Sequence, residues 1–114
     1  AFFRREEWTA GAGPAEVRAR VVDVLRSRRA KVVDTGDGTV AARSGSSLLA
    51  RLDVSLVPKR WLPLAVAVSI TPADAATRVT VTIEDRLGFG AAGSGTRYEA
   101  LFDETIRALR SATA

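Results

Sequence analysis

Between Leu48 and Leu87 the chain alternates apolar and polar residues in three separate runs, each about the length of one strand. In 48–57 the apolar phase is Leu48, Ala50, Leu52, Val54 and Leu56. In 62–71 it is Leu62, Leu64, Val66, Val68 and Ile70, and in 78–87 it is Val79, Val81, Ile83 and Leu87. Residues two apart point to the same side of a strand, so each run has one face for a core and one for something else. A parallel sheet covered on both sides would give unbroken apolar runs, whereas this pattern predicts half-buried antiparallel strands. "TPADAAT" (71–77) is the expected turn between the last two. The opposite phase of these two carries Ala65, Ala67, Ser69, Thr71, Thr80 and Thr82, all small and uncharged. Such a face can meet water, pack on a second copy as a homodimer, or wall a groove under the N-terminal strand.

The flanking segments complete an α+β pattern. "KVVDT" (31–35) and "TVAARS" (39–44) are short strands around "GDG" (36–38), where Gly and Asp tolerate the positive φ of tight turns. "SGSS" (44–47) is the next turn, and "FFRREEWTA" (2–10) is a further short strand with Phe3 and Trp8 as anchors. Gly11, Gly13 and Pro14 then break the chain, and Pro14 suits a first helical turn. Val17, Val21, Val24 and Leu25 predict a helix over 14–29. A second helix is expected over 97–112, with Thr96 and Glu99 as a capping box and Tyr98, Leu101, Phe102, Ile106 and Leu109 as its apolar stripe. The prediction is a single domain over 1–114: a two-layer sandwich of about five antiparallel strands with an N-terminal and a C-terminal helix on one face. The element order, (β)-α-β-β-β-β-β-α, resembles a reduced helix-grip (START-like) domain. That resemblance is topological and carries no functional residue across.

Composition excludes much chemistry. The 114 residues contain no Cys and no His, which removes disulfides, thiolate nucleophiles, a Ser-His-Asp triad and the usual zinc ligands. A general acid or base would have to come from Asp85, Glu6, Glu7 or Glu84, and no spacing secures a pair of these. No cofactor or metal is expected. The longest apolar stretch, "LPLAVAV" (62–68), is far below the ~18 residues of a membrane span. "AFFRREEW" lacks the long apolar region of a signal peptide, and the expected setting is cytoplasmic. The net charge is +4, with 15 Arg among 17 basic residues. That excess is modest beside dedicated nucleic-acid binders and fits a compositional bias of the source genome.

Gly88, Gly90 and Gly93 spell G-x-G-x-x-G in "RLGFGAAGSGTRYEALF" (86–102). A dinucleotide fingerprint needs a second parallel strand and an acidic residue about 20 positions on, and the sequence supplies neither. Lys is absent from the Walker A position in both possible registers. The loop is therefore expected to be a strand-to-helix connection, with a generic anion site at Gly90, Gly93 and Arg97 as the alternative.

Two basic stretches remain. "VPKRWLPL" (57–64) presents Lys59, Arg60 and Trp61 between two prolines, a contact surface or a cap on the core. "RSRRAK" (26–31) places Arg26, Arg28, Arg29 and Lys31 at a helix C-terminus, where cations suit the macrodipole with or without an acidic partner. Asp85 falls on the apolar phase of its strand, and the expectation is that the strand bulges or ends there and turns it to water. The combined prediction is a non-enzymatic binding domain for a hydrophobic small molecule or a protein partner, through Arg60, Trp61, Gly90, Gly93 and Arg97. The alternative is nucleic-acid or polyanion binding through Arg26, Arg28, Arg29, Lys31 and Lys59.

Overall fold

The computed structural model describes residues 3–34, 38–44, 64–85 and 95–113. Five strands, β1 (Phe3–Ala10), β2 (Lys31–Asp34), β3 (Thr39–Ser44), β4 (Leu64–Ala73) and β5 (Ala76–Asp85), form one antiparallel sheet in the order β1-β5-β4-β3-β2. Two helices, α1 (Pro14–Ser27) and α2 (Gly95–Thr113), pack on it. This is the expected α+β sandwich. The expected strand over 48–57 and the turn at 44–47 fall outside the described residues, apart from Ser44 at the end of β3.

β4 and β5 form the longest pairing, running from Leu64↔Asp85 to Ala73↔Ala76. Only Asp74 and Ala75 connect them, so the turn is tighter than the expected 71–77. Asp74 takes φ 47, a left-handed conformation that Asp tolerates better than most residues. Thr71 and Pro72 accordingly continue β4. Gly38 enters β3 at φ +86, and its carbonyl accepts a bond from the Ile70 N–H at 2.8 Å.

The core fills the space between sheet and helices. Val40 and Ala42 of β3, Leu64, Val66, Val68 and Ile70 of β4, and Val79, Val81 and Ile83 of β5 are all buried. Val17, Val21 and Leu25 of α1 meet them at four-residue spacing, one face of a helix. All five residues of the expected α2 stripe are buried, with the Tyr98 and Phe102 rings 5.8 Å apart and tilted. α2 begins at Gly95, which puts Thr96 inside its first turn instead of at its cap.

α1 ends at Ser27 in a Schellman motif. The Ala30 N–H bonds the Leu25 carbonyl and the Arg29 N–H bonds the Arg26 carbonyl, both at 2.9 Å. The left-handed position is filled by Arg29 at φ 62, where Gly is the usual residue.

β1 is held as an edge strand by polar contacts to α2. Arg4 pairs with Asp103, and its guanidinium lies 5.8 Å from the Phe102 ring. Trp8 is half-buried; its indole Nε1 donates to Thr113 Oγ1 at 2.9 Å, and Arg110 sits 5.1 Å from its ring. Trp8 is thus the anchor expected, but Phe3 is not, being 62% exposed on the other side of the strand. Five positions separate the two, and an odd separation sends side chains to opposite faces.

Two stability effects follow from the left-handed positions. Gly38→Ala costs about 1–2 kcal/mol, because its Cβ is strained at that φ and meets Ile70 O at 3.2 Å. Arg29→Gly gains up to about 1 kcal/mol by removing the same strain. Urea denaturation of the two variants beside the parent chain checks both signs.

Candidate functional site

The strand register lays the outer face of the sheet out in rows. One row runs Lys31, Arg43, Ala65, Glu84, Phe3 across β2, β3, β4, β5 and β1. The next runs Val33, Ala41, Ala67, Thr82, Arg5, and a third runs Thr39, Ser69, Thr80, Glu7 over the four strands that reach it. The alanines and threonines of the small-residue phase therefore share the middle of one surface.

A concavity of about 440 Å³ opens on this face. Ala41, Ala65 and Ala67 form its floor, Lys31, Val33 and Arg43 one side, and Thr82 and Glu84 the other. Its outer side is open: Lys31, Arg43 and Glu84 are exposed, and Val33 is 53% exposed. Alanine makes the hollow, since the neighbouring long side chains stand above a floor of single methyl groups. Chemically it offers an apolar bed, two cations at one wall and a carboxylate at the other.

Lys31 and Arg43 are direct cross-strand partners. Like charges placed opposite one another repel, and no acidic side chain among the described residues forms an ion pair with either. A nearby anion would relieve that repulsion.

The expected polyanion patch is divided by the fold. Arg26 and Arg29 are exposed at the end of α1, while Arg28 reaches Glu104 of α2 at 3.7 Å. Lys31 lies on the outer sheet face beside Arg43. Arg60, Trp61, Lys59, Gly90 and Gly93 lie outside the described residues, and Arg97 falls in the first turn of α2 with its side chain outside what is described.

Asp85 departs from expectation. The strand neither bulges nor ends before it: Asp85 pairs in register with Leu64 and is 9% exposed on the core side. Glu84 faces the opposite way, as alternation requires, and Glu6 lies on the helix side of β1 while Glu7 lies outside. Glu7 instead accepts from Thr80 at 3.1 Å and lies 3.6 Å from Arg78. These carboxylates are thus spread over two faces.

Val33, Ala41 and Arg43 were not singled out by the sequence, and Glu84 only as a possible acid or base. The signal was the phase of β2 and β3, hidden because "VV" in a four-residue strand fits either face. Among the described residues no group of acidic side chains could hold a metal ion, and no helix is long and apolar enough to cross a membrane.

No family model matches the chain, and no curated protein matches it in sequence. The fold does match solved structures. The crystal structure of Ara h 8.0201 shares 12% identity at a TM-score of 0.59, covering 98% of this chain and 94% of that one. TTHA0849 from Thermus thermophilus shares 13% identity at a TM-score of 0.50, covering 98% of this chain and 94% of that one. At these identities the likeness is one of fold, and the chain has the helix-grip architecture that its element order resembled.

Replacing Lys31 with Glu converts the like-charge pair into an opposite-charge pair. Lys31→Glu is expected to stabilise the fold by about 0.5 kcal/mol at low salt and by less at high salt, read from urea midpoints at two ionic strengths.

Proposed function

We propose that this chain is a non-catalytic binding domain that holds an apolar small molecule on the outer face of its sheet. The observation that carries this reading is the concavity with its alanine floor and paired cations. Small-molecule sites are concave, mostly apolar, and oriented by a few polar groups, and this surface has each of these properties. The fitting ligand has an apolar body for Ala41, Ala65 and Ala67 and an anionic group for Lys31 and Arg43. A chain without His or Cys also favours binding over catalysis.

Anilinonaphthalene sulfonate combines an apolar ring system with one anionic group, and its fluorescence rises on leaving water. Ala65→Trp fills the floor and Arg43→Ala removes one cation. Each is expected to weaken the probe about tenfold or more, with the apolar share of the affinity persisting at high salt. Probe affinity unchanged in both variants would place the site elsewhere and end this reading.

A further inference from the structure

The concavity is half of a site. A single sheet face covers a ligand from one side, whereas small-molecule sites enclose most of the ligand surface. We infer that a second copy of this chain closes it, the two outer faces packing against each other about a two-fold axis laid along β4. The inference rests on the binding reading above and names the partner that completes the site.

The register supplies the argument. An axis along β4 keeps each row in place and reverses the strand order, so β3 meets β5 of the other copy and β2 meets β1. Arg43 then faces Glu84 of the other copy, and Glu84 faces its Arg43. Within one chain these two are separated by Ala65 and two strand spacings, roughly 9.5 Å. Lys31 faces the exposed Phe3 ring, a cation over an aromatic face. Val33 faces the stem of Arg5, and Ala41 faces Thr82. Ala65, Ala67 and Ser69 lie on the axis opposite their own counterparts, and their small side chains leave the ligand's space between the two floors while the longer side chains meet around it. No like charges oppose one another in these rows. The two exposed large hydrophobic side chains among the described residues, Phe3 and Val33, both lie on this face, and both are covered by the pairing. Self-complementarity of this kind is what a two-fold interface requires. Stacked sheets twist by about 30° relative to each other, which the row pairing tolerates near the axis.

The face is about 24 Å wide, five strands at about 4.8 Å, which is small for a stable interface. The pair therefore dissociates on dilution, and sedimentation velocity over a wide concentration range reads its dissociation constant. Arg43→Glu and Glu84→Arg are exposed substitutions that leave the core intact, as a melting curve verifies. Each alone is expected to raise the dissociation constant about tenfold or more, and the double variant, which restores opposite charges across the axis, to return it close to the parent value. A chain that stays monomeric at all concentrations, or a dimer indifferent to both single reversals, would overturn the inference. Titration of the same samples with anilinonaphthalene sulfonate separates the two proposals. Probe bound tightly by a monomer overturns the pairing and leaves the binding reading standing. A dimer that follows the charge-reversal pattern but binds no probe supports the pairing and removes the ligand.

Discussion

Everything in this structure is referred to the pairing of β4 with β5. It is the longest ladder in the sheet, it is closed by a two-residue turn, and it fixes which side chains face the helices. Because the turn sets the register, a slip of one residue would send Val66, Val68, Val81 and Ile83 to the outside and the alanines and threonines to the core. The helices cover the face that this register creates, and the burial they provide penalises a slip. β3 and β1 then extend the ladder on either side, inheriting their phase from their neighbours. The concavity on one side of the sheet and the core on the other are two consequences of one register.

The two sheet edges are handled differently. β1 is held on the helix side by Arg4, Trp8 and their partners on α2, and on the outer side by the Glu7, Thr80 and Arg78 cluster. These exposed ion pairs contribute little individually, but charged side chains along an edge also discourage pairing with foreign strands. β2 is short, and its outward residues are Lys31 and Val33. The outer face therefore runs from a charged, tied edge to a brief, lightly covered one, and the hollow lies toward the second.

Sequence legibility tracks parity. The apolar phases of β4 and β5 are plain because ten-residue strands repeat the alternation often enough to exclude a helix. The α2 stripe is plain for the same reason at helical spacing. Phe3 shows that aromatic bulk is a poorer guide than spacing, since parity with Trp8 already sends it outward. Asp85 fails in the opposite sense: its phase is right, and the strand does not bulge or end before it as expected, so it stays on the core side. The outer-face cation pair was missed for another reason. Lys31 and Arg43 lie on the two strands expected around the "GDG" turn, and only their exact register makes them direct partners. Residues at 45–63 and 86–94, which hold most of the basic "VPKRWLPL" stretch and the glycine-rich stretch, stand outside the described structure.

The position of β1 has a consequence for the order of assembly. Its hydrogen-bonding partner is β5, with Phe3 opposite Glu84, and its side-chain anchors are Asp103, Arg110 and Thr113. During synthesis β1 is made long before any of these exist. β2, β3, β4 and β5 can form a meander from contacts made in chain order, but β1 closes a loop that spans most of the molecule, at the largest entropic cost of any pairing here. β1 is thus made well before the strand it pairs with, and even with its ladder to β5 formed it lacks the Arg4 and Trp8 anchors until α2 is in place. A chain cut short before α2 would leave β1 its ladder to β5 but none of the side-chain contacts that hold it against the helix layer.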